Sequence, residues 1–518
     1  MNAPVTHSTV AELVRSFTSA TPDGLDAAFQ RLVGALWNEG KLTDLALEAT
    51  PAVVTALDEV GPDRQGHLAV LLGLLAEAEY PRLDGEVATA VRAGLDRYLD
   101  LVRGGTSRQP LTLALLYLLA HFPADRDRIL AVTGELSLEI EERTRLERGL
   151  AELDPQDPDL GRVWPAPSVW AGDDKAAAFA KAAARGLTPQ QIVTNWENDT
   201  RTLWAYTGAL AYWAVRNGPP APVAVRTVPE QQTIEQPPVR QTDETFGSRA
   251  ALLRCPTCHG PIELHETGAR CTTCATTYPS ANGILDLSAG VRDDQPTHEA
   301  TSDLLQKLTE MPTMGLVYEA VQRPAYLRLA GSNFGDEVTP ADEDAYLAET
   351  LRSTEGPVVD VAAGAGRWTA VVAEAVGADR LTAVDMLLPM LNVLRGRLPE
   401  VPAVRGSALN LPFGDGTVGV ITLWNALQAF PDDAATAIAE IGRCLRPGGI
   451  FTMMTYRWSD DPIARYFQAS HFFPSRPDGH LLFELNQIRQ WLADAGLVVR
   501  KESSSTGTFV FVTAERTA

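Results

Sequence analysis

The sequence predicts a multidomain protein with an all-α N-terminal half, a small cysteine-knuckle module and an α/β C-terminal domain. Three observations lead to this prediction. Apolar residues recur at helical spacing through residues 1–155. Two C-x-x-C pairs follow, which begin at Cys255 and Cys271. A short apolar run at 358–361 then ends in a glycine-rich turn before a helical pattern, which is how a doubly wound parallel sheet begins.

Composition limits the class of protein. The chain has 518 residues, of which 45% are hydrophobic, so it is long enough for about two to four ordinary domains. A net charge of −22 disfavours a phosphate backbone as a partner, so nucleic acid is not an expected ligand. The sequence lacks an apolar run of about 18 residues and a signal-peptide pattern at its start. We therefore expect a cytoplasmic protein with no membrane segment.

The N-terminal half divides into three segments. Helices of similar length in residues 1–155 predict a HEAT-like solenoid, with an irregular helical bundle as the alternative. Residues 156–226 form a Trp-rich helical extension, in which 192–215 predicts a long helix with an aromatic stripe. Residues 227–250 are rich in Pro and Gln and predict a linker.

Residues 251–290 contain the two cysteine knuckles, with twelve residues between the second and third cysteine. Four thiolates at this spacing can surround zinc tetrahedrally, which predicts a small zinc ribbon. The expected Zn ligands are Cys255, Cys258, Cys271 and Cys274. Closed sites of four cysteines stabilise structure, so no chemistry is assigned to the metal.

The glycine-rich turn departs from the dinucleotide fingerprint, because Thr369 stands where its third glycine would be. The pattern from Asp360 to Gly366 is instead D-x-A-x-G-x-G. It resembles motif I of class I S-adenosylmethionine (SAM) methyltransferases. Later segments resemble the same family in the same order: 381–385, 404–413, 418–424 and 445–455.

The resemblance is to the type 11 SAM-dependent methyltransferases and covers residues 300–518. It implies a Rossmann-like fold with a seven-stranded mixed sheet, and SAM as the cofactor. The implied cofactor-binding residues are Asp360, Ala362, Gly364, Gly366, Asp385, Met386, Ser407, Ala408 and Asn425. Asp385 would accept hydrogen bonds from the ribose, at the end of the second strand. Ala362 and Ser407 depart from the family's usual Gly and Asp. A helix with Tyr318, Arg323 and Tyr326 would cover the pocket.

Acceptor contacts are expected at the carboxyl ends of the strands. The methyl group of SAM is already activated, so positioning supplies most of the catalysis, and a base is needed only if the acceptor keeps its proton. An aromatic insertion after the fifth strand has the composition of an acceptor cap. The candidate catalytic residues are His471, His480 and Tyr456.

Taken together, these patterns predict a SAM-dependent methyltransferase of a small specialised metabolite or a peptide. The helical half would be a module for substrate recognition or assembly, and a homodimer is left open. Two alternatives remain: an rRNA or tRNA base methyltransferase with a zinc ribbon, which the negative charge disfavours, and a non-catalytic SAM-binding scaffold.

Overall fold

The computed structural model describes residues 7–161, 178, 181–182, 184–222, 242–288, 323–472, 479–503 and 507–517. Most of the predicted linker and Tyr318 lie outside these residues. The chain forms two compact units. The helical unit contains the described residues of 7–222 and 459–480, and the sheet unit contains those of 242–458 and 481–517.

Among the described residues, the first half of the chain is almost entirely helical, and the second half combines helices with strands. The helices of the first half are α1 (His7–Thr18), α2 (Leu25–Leu36), α3 (Ala46–Ala56), α4 (Pro62–Glu77), α5 (Glu86–Arg92), α6 (Leu95–Val102), α7 (Pro110–Leu119), α8 (Arg126–Thr133), α9 (Ile140–Gly149) and α10 (Pro189–Asn217). Those of the second half are α11 (Thr242–Phe246), α12 (Arg323–Gly331), α13 (Pro340–Leu351), α14 (Arg367–Val376), α15 (Leu388–Arg397), α16 (Ala434–Cys444), α17 (Pro462–Ala469) and α18 (Leu485–Asp494). The strands are β1 (Trp37–Asn38), β2 (Lys41–Leu42), β3 (Ile262–His265), β4 (Gly268–Cys271), β5 (Thr277–Ala281), β6 (Ile284–Asp286), β7 (Val358–Val361), β8 (Leu381–Asp385), β9 (Ala403–Arg405), β10 (Val418–Trp424), β11 (Leu445–Tyr456), β12 (Leu497–Ser503) and β13 (Phe509–Arg516).

Helices α4 and α7 form the centre of the helical unit. Both are apolar around their whole circumference, so every residue from Gly66 to the end of α4 is buried. Gly73 lets the two helices approach closely, because a Cβ at this position would lie 2.3 Å from a ring carbon of Tyr117. The missing side chain thus makes room for an aromatic ring in the core.

The described residues of the helical unit do not confirm the predicted HEAT-like solenoid. In a solenoid each repeat contacts only its neighbours. Here α4 packs against α5, α7 and α10, so one buried helix contacts elements from distant parts of the chain. The irregular bundle that the sequence left open is therefore the arrangement of the described residues.

Helix α17 comes from the C-terminal half of the chain but belongs to the helical unit. Its Ile463 and Phe467 are fully buried in the same core as α4 and α7. Gly208 of α10 leaves room for Phe467, because a Cβ there would lie 2.3 Å from a ring carbon. The core of the helical unit is therefore completed by a segment from the predicted methyltransferase region.

The sheet unit is built around one sheet, whose strand order is β12-β13-β11-β10-β7-β8-β9-β6-β5-β4-β3. The strands from β11 to β6 pair in parallel, as βαβ crossovers require. Strands β13 and β12 close one side antiparallel, and β5, β4 and β3 continue the other side antiparallel.

The predicted seven-stranded sheet is not confirmed as a separate sheet, since the described sheet has eleven strands. Seven strands do come from the C-terminal region. However, β6 of the cysteine module pairs with β9, with Leu285 opposite Val404. The edge of the sheet is thereby covered by the ribbon, which protects its unpaired backbone groups.

The position of α17 makes a prediction about stability. Replacing Phe467 with Ala should lower the free energy of unfolding of the helical unit by about 3–5 kcal/mol, because a fully buried ring leaves a cavity. Leu47→Ala is the control, since Leu47 is 43% exposed and its loss should change the value by less than about 0.5 kcal/mol. Denaturant unfolding followed by helical circular dichroism measures both. Equal effects of the two changes would show that α17 is not part of this core.

Candidate active site

Residues 362–366 turn the chain from β7 into α14. Ala362, Gly364 and Gly366 have φ values of 54°, 55° and 84°. Glycine adopts this left-handed backbone freely, whereas Ala362 does so at a cost of roughly 1–2 kcal/mol. A Cβ on Gly364 would meet no described atom within 4 Å, so the turn borders open space. Its backbone is accessible to a ligand beside the N-terminus of α14, which favours a negative group.

Asp360 fixes the geometry beneath this turn. Its two carboxylate oxygens accept hydrogen bonds from the hydroxyls of Thr369 and Thr422, each at 2.6 Å. Burial raises the pKa of Asp360 to about 6, and the two hydroxyls oppose that rise. The bonds tie β7 to α14 and β10. Asp360 therefore positions the turn through protein contacts, whereas the sequence assigned it to cofactor binding.

Asp385 connects the turn to the end of β8. One carboxylate oxygen accepts the Gly364 N–H at 2.8 Å, and the other accepts the Leu387 N–H at 2.7 Å. The side chain is 9% exposed, and burial raises its pKa while these N–H groups lower it. A carboxylate has about four acceptor positions, so Asp385 can still accept from a ligand.

The segment after Asp385 presents apolar surface. Leu387 and Leu388 are 42% and 41% exposed, although most leucines of the unit are buried. The carbonyl of Met386 accepts a hydrogen bond from Arg405 Nε at 3.1 Å, which holds this segment against β9. Exposed apolar residues next to fixed polar groups are typical of a ligand pocket.

Ser407 and Ala408 lie directly after β9, next to the end of β8. The Gly406 N–H donates to the carbonyl of Asp385 at 3.0 Å, which places the two strand ends side by side. The Ser407 hydroxyl oxygen accepts the N–H of Leu409 at 3.1 Å, so it stabilises the loop. The sequence-predicted residues of this segment thus meet those of the glycine turn at one edge of the sheet.

Asn425 is held in a buried polar network at the end of β10. Its backbone has φ 54°, and its side-chain oxygen accepts from Gln428 Nε2 at 3.0 Å and from the Tyr456 hydroxyl at 2.8 Å. Gln428 in turn accepts from Thr455 at 3.0 Å. Tyr456 is fully buried and its hydroxyl donates to Asn425, so its described contacts are those of a positioning group.

An ion pair that the sequence did not predict joins helix α12 to helix α13. Arg323 Nη2 lies 2.6 Å from a carboxylate oxygen of Glu343, and both side chains are buried. The guanidinium carbon of Arg323 also lies 3.8 Å from the ring centroid of Trp368. Tyr326 packs against Tyr456, with ring centroids 5.4 Å apart.

The candidate histidines lie in a different unit from Tyr456. His471 and His480 belong to the helical unit and are 1% and 5% exposed. Burial and the neighbouring His480 hold the pKa of His471 well below its usual value, so His471 is neutral near pH 7. Within the sheet unit, the predicted SAM residue Asn425 contacts Tyr456.

The four knuckle cysteines form one cluster, with all sulfur atoms within 4.8 Å of one another. The Sγ atoms of Cys255 and Cys274 are 3.6 Å apart, and those of Cys258 and Cys271 are 3.5 Å apart. Four thiolates at about 2.3 Å from a tetrahedral zinc would be about 3.8 Å apart. The donor set and its spacing therefore fit zinc.

The sequence did not reveal that Thr369 and Thr422 hold the Asp360 carboxylate. Thr369 was read only as a missing glycine, and Thr422 only as part of a strand. The available signal was their polarity, because a hydroxyl at a position that is buried in the sheet needs a hydrogen-bond partner. The buried Asp360 carboxylate meets that requirement.

Part of the sheet unit is similar to known methyltransferases. Residues 358–449 match a protein family described as "Methyltransferase domain". An uncharacterized chloroplast methyltransferase of Arabidopsis thaliana is 28% identical over 241 residues, which cover 42% of this chain and 66% of that protein. The demethylmenaquinone methyltransferase of Staphylococcus epidermidis is 27% identical over 170 residues, which cover 32% of this chain and 70% of that protein.

Among solved structures, the geranyl diphosphate C-methyltransferase of Streptomyces coelicolor, in complex with S-adenosylhomocysteine, is 16% identical with a TM-score of 0.29. It aligns with 34% of this chain and 80% of its own. The match with the Arabidopsis protein spans just under two thirds of that protein. The similarity to methyltransferases thus includes residues 358–449, in the C-terminal part of the chain. In the part of the chain that is described, no helix meets the length and hydropathy needed to cross a bilayer.

The cysteine cluster predicts about one zinc per chain, measurable by elemental analysis of protein purified without chelators. Replacing Cys255 and Cys258 together by Ser should remove the metal, because two of four thiolates are lost. Cys444→Ala is the matched control, since Cys444 is a buried thiol outside the cluster. Metal-free wild-type protein, or equal zinc in all three proteins, would contradict the assignment.

Proposed function

We propose that this protein binds SAM at the 362–366 turn and transfers its methyl group to a small molecule. One observation carries the proposal: the Asp385 carboxylate accepts the Gly364 N–H beside a turn that borders open space. The same carboxylate keeps acceptor positions for a ligand at the adjoining ends of β7 and β8. The family match over residues 358–449 supports this placement.

The described residues fit the parts of the cofactor. The open backbone at Gly364 can receive its methionine portion, Asp385 can accept from its ribose hydroxyls, and Ser407 with Ala408 can border its adenine. SAM supplies a methyl group that is already activated on a sulfonium. The protein's contribution is therefore to hold the acceptor in line and to exclude water.

Asn425 is the residue best placed to orient a ligand at the acceptor edge. Its side-chain oxygen accepts two hydrogen bonds, which fixes the orientation of the amide. The Nδ2 group has no partner among the described residues. It is available to donate to a ligand at the carboxyl end of β10, while Tyr456 and Gln428 keep it in place.

We propose a small-molecule acceptor, since the demethylmenaquinone methyltransferase is named for one. The exposed Leu387 and Leu388 would add apolar contact area to such a site. The helical unit would take part in acceptor recognition, because the chain enters it directly after β11. Helix α17 begins at Pro462, shortly after β11 ends at Tyr456. The cysteine cluster would hold a structural zinc.

The role of Asp385 can be tested by calorimetric titration with S-adenosylhomocysteine. Asp385→Ala should weaken binding by about tenfold to a hundredfold, because buried hydroxyls lose a charged acceptor worth about 1–3 kcal/mol. Glu400→Ala removes the same charge from an exposed position of the sheet unit and should leave affinity unchanged.

Asp385 could affect binding by contacting the ribose or by supporting the turn at Gly364. A ligand analogue that lacks a ribose hydroxyl separates these two effects. The 2′-deoxy analogue should bind the wild type more weakly than S-adenosylhomocysteine does. In Asp385→Ala the two ligands should bind almost equally, as a double-mutant cycle requires for a direct contact. Wild-type protein that binds neither ligand would refute the proposed function. If the affinity ratio of the two ligands is the same in wild type and in Asp385→Ala, the ribose contact is refuted.

A further inference from the structure

The first cysteine knuckle contacts the chain that follows the proposed adenine segment. We call residues 406–409 the adenine segment and residues 255–258 the knuckle. Asn410 Nδ2 donates to the carbonyl of Pro256 at 2.9 Å. Pro256 lies between two of the sulfur ligands, so this carbonyl belongs to the loop that the metal would hold.

Backbone pairing strengthens the same contact. The Arg254 N–H donates to the carbonyl of Pro412 at 2.9 Å, and the Gly414 N–H donates to the carbonyl of Leu252 at 3.1 Å. Between them Leu253 forms an antiparallel bridge with Phe413, and both side chains are buried. The chain leading into the knuckle is thus paired with the chain leaving the adenine segment.

The ribbon also holds the chain that enters the adenine segment. Strand β6 pairs in parallel with β9, which ends one residue before Gly406. Asp286 at the end of β6 forms an ion pair with Arg405 at 3.1 Å. Arg405 also donates to the carbonyl of Met386 at 3.1 Å, so this chain of contacts reaches the proposed cofactor site.

Of the contacts between the ribbon and the adenine segment, only the pairing of β6 with β9 is needed to protect the sheet edge. Pairing of β6 with β9 covers the backbone groups at the edge. The bond from Asn410 to the knuckle adds nothing to that cover, since it lies outside both strands. The hydrogen bond from Asn410 instead fixes the C-terminal end of the adenine segment against the knuckle, a loop whose shape depends on the metal.

We propose that the metal site of the knuckle and the SAM site are energetically coupled through Asn410. The inference rests on the proposed function. With zinc bound, the Pro256 carbonyl is fixed, and Asn410 as a positioning residue holds the adenine segment in its binding conformation. Without zinc the knuckle relaxes, and ordering the adenine segment then reduces the free energy of SAM binding. Coupling is reciprocal, so a bound adenosyl ligand also tightens zinc binding. Zinc loss is then slower wherever the Asn410 contact must break before the metal leaves.

The experiment compares S-adenosylhomocysteine affinity in zinc-loaded and zinc-stripped protein by calorimetry. Stripping should weaken binding by about five- to tenfold in the wild type, which corresponds to one hydrogen bond of ordinary strength. In Asn410→Ala the two forms should differ by less than about twofold, because the link is already broken. Thr272→Val is the matched control, since Thr272 donates to Pro261 within the ribbon and touches no residue of the adenine segment.

A second measurement starts from zinc-loaded protein, so it remains usable if zinc-stripped protein unfolds. Zinc release to a coloured chelator is timed with and without saturating S-adenosylhomocysteine. The ligand should slow release in the wild type and in Thr272→Val, but not in Asn410→Ala, although all three start with equal zinc. Zinc-loaded protein that fails to bind the ligand would refute the proposed function itself. Binding that is equal in both zinc states, or coupling that survives in Asn410→Ala, would overturn the inference alone.

Discussion

The hydrogen bond from the Gly364 N–H to the Asp385 carboxylate is the constraint on which the site depends. It closes the turn after β7 against the end of β8, and the Gly406 N–H then aligns the end of β9 with Asp385. Burial raises the pKa of Asp385, and the backbone N–H donors oppose that rise. A charged acceptor in this position makes each bond stronger than a neutral one would. Three strand ends are thereby held in the relative positions that a nucleoside ligand would require.

Both units place a buried acid at the point where distant segments meet. In the sheet unit, Asp360 joins β7, α14 and β10 through Thr369 and Thr422. In the helical unit, Glu77 accepts from the hydroxyls of Tyr117 and Tyr466 at 2.6 and 2.8 Å, which joins α4, α7 and α17. Satisfied buried networks of this kind favour one arrangement over others, because any other would leave a polar group without a partner. Helix α17 is thus fixed in the helical unit by polarity as well as by apolar packing.

The elements predicted from local signals agree with the structure. The strands at 358–361, 381–385 and 418–424 are found as β7, β8 and β10, since short apolar runs between glycines leave little alternative. The cysteine cluster follows from spacing alone. The sequence did not predict the pairing of β6 with β9, because it joins segments far apart in the chain and depends on backbone groups common to every residue. The sequence did not predict that α17 enters the core of the helical unit, since an apolar helical face such as that of Phe467 does not reveal which core it enters.

The most direct test of this account is a structure of the protein with S-adenosylhomocysteine. We predict both ribose hydroxyls within about 3.2 Å of the Asp385 carboxylate, which is the upper limit of a good hydrogen bond. We also predict the ligand's sulfur beside the turn at Gly364 and the adenine against Ser407 and Ala408. Asp360 should keep its bonds to the two threonines and make no contact with the ligand. A ligand bound elsewhere, or a ribose turned away from Asp385, would contradict the central claim.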